Sequence, residues 1–296
     1  MRRIGFIGLG HMGTPMVKNL LKHGHQVKIF DLVSPAITTL AKEGAIPAAS
    51  LADLASGTEI IFTMLPTGQD VENVWLNKDG LFNTAKVGTL LIDSSSIDVE
   101  TTRRLANLAE EKGFYALDAP VSGGVAGAEA GTLTFMIGGH EKDFFIAKPV
   151  LAAMGKTIIH AGEHGSGQVA KICNNMILGI SMIAVSEAFI LAKKSGLSAE
   201  KLFEISSHAS GQCWSMTSYC PVPGLVATSP ANHDYTPGFT AQMMLKDLLL
   251  SQQTAETSHT STPLGALATE LYQRFVNQDH GQMDFSGIIQ MIEGKV

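Results

Sequence analysis

A chain of 296 residues is long enough for one large domain or two ordinary ones. With 45% hydrophobic and 16% charged residues and a mean hydropathy of +0.17, it has apolar surface for a sizeable core, which excludes a disordered chain. A formal charge of -6 and a pI near 5.9 argue against a nucleic-acid-binding surface, and three cysteines (Cys173, Cys213, Cys220) without CxxC pairing give no disulfide framework and no zinc site.

The chain opens with MRRIGFIGLGHMG. Two arginines before a short, glycine-rich apolar stretch, followed by a helix with Lys18 and Lys22, read as a first strand and not as an export signal. A cytoplasmic protein is expected. Short Ile/Leu/Phe/Thr-rich runs then follow: QVKIFD, EIIFTMLP, TLLIDSS, FYALDAPVSG, TLTFMIGG and TIIHAG, each ended by Gly, Asp, Pro or Ser. Helical patterns such as TPMVKNLLKHG and VETTRRLANLAEEKG separate several of them. Strands alternating with helices predict a mostly parallel, doubly wound α/β sheet. The alternation stops near Gly162, and beyond it the pattern is helical. The expected architecture is therefore a Rossmann-type domain over residues 1–162 and an all-helical domain over residues 163–296, joined by a long helix from about Ser166 to Ser195.

Gly8, Gly10 and Gly13 form GLGHMG between the first strand and the first helix, with His11 and Met12 inside the turn. A bare GxGxxG is weak evidence, but here it stands in the strand–turn–helix setting that a dinucleotide pyrophosphate requires. Asp31, ending the second strand, stands at the spacing of a carboxylate that accepts from an adenosine ribose. It would repel a 2′-phosphate, and Leu32 follows where an arginine would be wanted, so NAD is expected over NADP. Further along, MLP (Met64 to Pro66) and SSS (Ser94 to Ser96) close two strands, and each is equally readable as a plain connection. In DAPVSGG (Asp118 to Gly124), Ser122, Gly123 and Gly124 can turn several backbone N–H groups into one concavity suited to a carboxylate; a flexible loop is the alternative.

The stretch GSGQVAKICNNMILG (Gly165 to Gly179) opens the long helix. Lys171 and Asn175, one turn apart, lie about 40° from each other around the axis, and Asn174 flanks them. A lysine partly withdrawn from water there would have its pKa lowered and serve as a general acid/base; a solvated helix end is the other reading. The apolar run Met176 to Ala192 is roughly 17 residues against the about 20 needed to span a bilayer, and it contains Ser181, Ser186 and Glu187, so a buried helix is expected and no membrane. The long Pro- and Ser-rich segment from Cys213 to Gly238 is a candidate functional loop. Lys246, beside Asp247 in FTAQMMLKDLLLSQ, is either held by that carboxylate or at the surface. The ten histidines show no metal-ligand spacing, and no metal is expected.

Taken together, GFIGLGHMG, FTMLPT, LIDSSSID, DAPVSGGVAGAEAGTLTFMIGG, GSGQVAKICNNM and KDLLLSQ, in this order along the whole chain, resemble the β-hydroxyacid dehydrogenase family. The loop Gly211 to Gly224 resembles the branch acting on hydroxyisobutyrate more than the tartronate or succinic semialdehyde reductase branches. The resemblance implies oxidation of a small β-hydroxy acid by NAD, in a homodimer or homotetramer with no nucleic-acid partner. It implies Lys171 as acid/base, Asn175 with Ser122, Gly123 and Gly124 on the substrate, and Gly8, Gly10, His11, Met12, Gly13, Asp31, Leu65, Pro66, Asp70, Ser96 and Lys246 on the cofactor. Ser96 stands where many relatives have threonine, and Asp70 where some have asparagine. A semialdehyde reductase using NAD(P)H and a non-catalytic NAD-binding scaffold are the rival readings, and small imines stay open as substrates.

Overall fold

The computed structural model describes residues 1–296, the side chain of Ser34 aside. The chain divides into two compact units, residues 1–171 and 172–296. In the first, nine strands form one sheet: β1 (Arg3–Ile7), β2 (Gln26–Phe30), β3 (Ile46–Pro47), β4 (Ile60–Thr63), β5 (Leu90–Asp93), β6 (Tyr115–Asp118), β7 (Val121–Ser122), β8 (Leu133–Gly138) and β9 (Gly155–Gly162). The order β3-β2-β1-β4-β5-β6 is all parallel, which is the Rossmann order with its switch point between β1 and β4. Strand β8 then pairs antiparallel with both β6 and β7, and β9 runs parallel to β8.

Alternation along the strands sends side chains to both faces, and each face has its own core. Ile4, Phe6, Ile29, Phe62 and Ile92 belong to one, with Phe6 and Phe62 stacked 5.6 Å apart. Ile7, Ile61, Leu91 and Ala116 belong to the other, beneath Trp75 and Leu105. Burial on both faces is why β4 and β5 are apolar almost throughout. The flanking helices are α1 (Gly13–Lys22), α2 (Ser34–Lys42), α3 (Leu51–Ala55), α4 (Gly68–Leu76), α5 (Leu81–Thr84), α6 (Val99–Glu111), α7 (Gly124–Ala130) and α8 (Glu141–Leu151).

Helix α9 (Ser166–Lys194) starts in the first unit and continues into the second. It is long and apolar enough to cross a bilayer by length and composition. The second unit uses that apolarity: Met182 and Ile183 pack with α12 (Ala241–Thr257) and α13 (Pro263–Phe275), and Val185 and Phe189 pack with Met216 and Cys220. The remaining helices are α10 (Ala199–Ser206), α11 (Trp214–Thr217) and α14 (Ile288–Glu293). The long segment expected as a loop carries α11 and is tied to itself: Ser229 Oγ donates to the Cys220 carbonyl at 2.6 Å and Tyr235 Oη to that of Pro221 at 2.8 Å.

Candidate active site

Four expected clusters lie at the carboxyl ends of β1, β2, β4 and β5, one edge of the parallel sheet. After β1 the chain turns at Gly8, with φ at 95° and its N–H on the Phe30 carbonyl. A Cβ on Gly8 would lie 2.2 Å from the Met64 carbonyl oxygen, and one on Gly13 would lie 1.9 Å from that of Gly8. Larger residues there would force strand and helix apart, which is the physical demand behind the first and third glycines. Gly10 and His11 are exposed, and Met12, at the N-cap of α1, supplies no side-chain cap. In the first turn of α1 the Thr14 N–H is held by the Gly10 carbonyl at 3.0 Å and Pro15 has no N–H, so what the turn offers a pyrophosphate is the positive end of the helix dipole and close approach of the backbone at Gly10. After β2, Asp31 Oδ2 accepts from the Leu9 N–H at 2.5 Å and its Oδ1 from the Val33 N–H at 2.7 Å. Backbone donors therefore fix the carboxylate at the end of β2, beside a Leu32 that is 92% exposed.

At β4 and β5 the two strand-end clusters are one network. Asp93 Oδ1 accepts from Thr63 Oγ1 and from Ser95 Oγ, both at 2.7 Å, and Ser95 Oγ accepts from the Leu65 N–H at 2.8 Å. Ser94 and Ser95 are buried, while Ser96 is half-buried and Pro66 exposed. Burial pushes the Asp93 carboxyl up to about 6 against the hydrogen bonds from Ser95 and Thr63, with the charge of Asp118 adding to the rise. Asp70 is half-buried, and its carboxylate accepts from Thr67 Oγ1 at 2.6 Å while its N–H donates to the same oxygen. That reciprocal pair caps α4, so Asp70 has a structural use of its own.

DAPVSGG performs two tasks in one turn of chain. Its first residue, Asp118, is buried at the end of β6, where Oδ1 accepts from the Gly165 N–H at 2.8 Å and Oδ2 from the Gln168 N–H at 3.0 Å. These amides belong to the start of α9 and have no partner within the helix. Burial raises the Asp118 carboxyl, and the two N–H donors oppose that rise. Gln168, fully buried, donates through Nε2 to the Ser95 carbonyl at 2.7 Å and accepts from the Ile97 N–H. The start of α9 is thereby fastened to the ends of β5 and β6. Four residues beyond Asp118, Ser122 is half-buried on β7, and Gly123 and Gly124 follow with φ of 132° and 63°. Lys171, half-buried, stands on α9 one residue short of a turn past Gln168.

In the second unit, Asn175 is buried, accepts at Oδ1 from Asn174 Nδ2 at 3.0 Å, and donates through Nδ2 to Asp247 Oδ2. Asp247 is therefore the inward member of the Lys246–Asp247 pair. Lys246 Nζ lies 3.8 Å from its Oδ1 with a third of the side chain exposed. Sequence reasoning did not find the positioning roles of Asp93, Asp118, Gln168 and Asp247. Asp118 and Gln168 lie inside the quoted motifs, but their partners are 47 to 73 residues away and nothing local marks them.

Two family descriptions match the chain: "NAD binding domain of 6-phosphogluconate dehydrogenase" over residues 3–162, and "NAD-binding of NADP-dependent 3-hydroxyisobutyrate dehydrogenase" over residues 165–292. Over the full length, the chain is 47% identical to a 3-hydroxyisobutyrate dehydrogenase of Pseudomonas aeruginosa, covering 100% of both. It is 45% identical to an NAD-dependent L-serine dehydrogenase of the same organism, covering 99% of this chain and 98% of the relative. A solved structure of Mycobacterium tuberculosis 3-hydroxyisobutyrate dehydrogenase with L-serine superposes with a TM-score of 0.94 at 45% identity, covering 99% of each chain.

Proposed function

The chain belongs to the β-hydroxyacid dehydrogenase family, and from that premise we propose that it oxidises 3-hydroxyisobutyrate to methylmalonate semialdehyde, with Lys171 as general acid/base. It is an NAD-dependent hydroxyacid oxidoreductase; the substrate and the residue roles are our reading. One observation carries it: the motif that holds Ser122, Gly123 and Gly124 also supplies Asp118, which fixes the start of the Lys171 helix.

NAD, when bound, supplies the hydride acceptor. The turn Gly8 to Gly13, with His11 and Met12, would hold its pyrophosphate, and Asp31 its adenosine ribose. Leu65, Pro66, Asp70 and Ser96 would line its nicotinamide half, and Lys246 is assigned to the cofactor on the resemblance alone. The Ser122–Gly124 segment grips the substrate carboxylate through backbone N–H groups and the Ser122 hydroxyl. Asn175, oriented by Asp247, hydrogen-bonds the substrate one helical turn from Lys171. The Lys171 amine takes the hydroxyl proton as the same carbon gives up its hydride; in reverse, the ammonium polarises the carbonyl and returns the proton. Fixing these groups before reaction supplies much of the acceleration. We assign most of NAD binding, with the carboxylate grip of Ser122–Gly124, to residues 1–162, and the substrate contacts of Lys171 and Asn175 together with self-association to residues 163–296. Three free thiols, Cys173, Cys213 and Cys220, support a reducing compartment, the cytoplasm.

L-serine is the second reading, favoured by the P. aeruginosa relative and by the M. tuberculosis structure with L-serine. The two acids share a carboxylate and a β-hydroxymethyl group and differ at the α-carbon. Rates of NAD reduction with both 3-hydroxyisobutyrate enantiomers, L-serine, 3-hydroxypropionate and glycerate, each repeated with NADP, test the proposal. The expected result is the highest kcat/KM for a 3-hydroxyisobutyrate enantiomer with NAD. A higher value for L-serine moves the assignment, and no turnover of any acid despite NAD binding returns the scaffold reading.

A further inference from the structure

Away from the nucleotide edge, the first unit gathers Glu110, His140 and His164 from three separate segments of chain. Glu110 is in the last turn of α6, His140 is the N-cap residue of α8, and His164 lies in the turn between β9 and α9. His140 Nε2 lies 2.6 Å and His164 Nε2 3.0 Å from the same oxygen, Glu110 Oε1. One ligand-type atom from each residue falls within 4.8 Å of the others. The imidazoles meet edge to face with centroids 5.1 Å apart. His140 Nδ1 is 3.4 Å from Glu163 Oε2. The His164 side chain is only 10% exposed, and its Nδ1 is buried with no hydrogen-bond partner.

We propose that Glu110, His140 and His164 form a binding site for a borderline divalent cation, Zn2+ in the first instance. Two imidazole nitrogens and one carboxylate oxygen are a donor set for Zn2+ and its transition-metal neighbours. Mg2+ and Ca2+ take six or more oxygens and are excluded. With metal–ligand bonds of about 2.0–2.2 Å, tetrahedral ligands stand roughly 3.3–3.5 Å apart. The N···O separations need therefore open by less than about 1 Å as the ion displaces the protons between them. Glu163 stands where a carboxylate orients a ligating imidazole through its second nitrogen. Glu110 and His140 are each about 40% exposed, which leaves a side open for a water as fourth ligand. Cysteine and histidine spacing along the sequence does not mark this cluster, because its ligands are gathered only by folding.

Bound there, the ion cross-links the end of α6, the start of α8 and the turn that opens α9, one residue before the Gly165 amide held by Asp118. Chelator-treated full-length protein, titrated with Zn2+ against a chromophoric competitor, should bind one equivalent per chain and rise in Tm, with no response to Mg2+. Co2+ should give visible d–d absorption. His140→Gln and Glu110→Gln, both at partly exposed positions, should weaken Zn2+ binding by at least about tenfold and abolish the Co2+ band with unchanged far-ultraviolet circular dichroism. Cys173→Ser should retain both. Equal Zn2+ affinity in wild type and the two variants, or no equivalent bound by the wild type, overturns the proposal.

Discussion

Asp93 is wholly buried at the end of β5, with Oδ1 accepting from Thr63 and Ser95 and Oδ2 buried without a partner. Its carboxylate orients Ser95, and Ser95 in turn fixes the Leu65 backbone. The desolvation behind its pKa of about 6 has a definite sign. The folded state holds the proton more tightly than the unfolded chain, so this residue's contribution to stability falls as pH rises from about 4 through about 6. Asp93→Asn removes that dependence. Its stability relative to wild type should improve by about 2 kcal/mol between pH 4.5 and 7.5, read by urea denaturation at each pH. A difference that stays flat with pH contradicts the assignment. Gly8, Gly13 and Asp31 were legible in the sequence because their demands are local: a turn, a close contact and the end of the next strand. Asp93 was not, because its burial depends on a sheet assembled from distant segments, with Thr63 lying 30 residues earlier.

At the scale of elements, the site depends on how α9 begins. Asp118 supplies from β6 the acceptors that a capping side chain would provide, and Gln168 ties the same turn to the chain after β5. Asp118→Ala leaves two buried N–H groups unsatisfied, at roughly 1–3 kcal/mol each. It should lower stability by at least about 1 kcal/mol and speed amide exchange selectively from Gln168 to Lys171. Unchanged exchange in that turn would show that other contacts hold it. The long, strongly periodic elements were legible: seven strands and α9 fall where their apolar runs are. Strands β3 and β7 were not, since two residues show no alternation, and the antiparallel sense of β8 is set by pairing and not by composition.

At the scale of the whole molecule, the family resemblance runs from end to end, and so do the relatives, so the two units are read as one enzyme. The second unit leaves Ile177 on α9, Leu249 on α12 and Leu264 and Leu267 on α13 exposed, apolar side chains that self-association would cover. Sedimentation equilibrium should return two or four times 31.4 kDa, and a monomer at micromolar concentration contradicts that expectation. What no amount of sequence reading supplied is the side chain at the substrate's α-carbon, because a methyl and an amino group differ by contacts that short motifs do not encode. The central claim, that Lys171 moves the proton, is tested most directly by Lys171→Ala. Steady-state turnover of the preferred acid, with NAD affinity measured separately, should show kcat lower by about 10²-fold or more with NAD binding nearly unchanged. Near-normal turnover in Lys171→Ala would contradict the account.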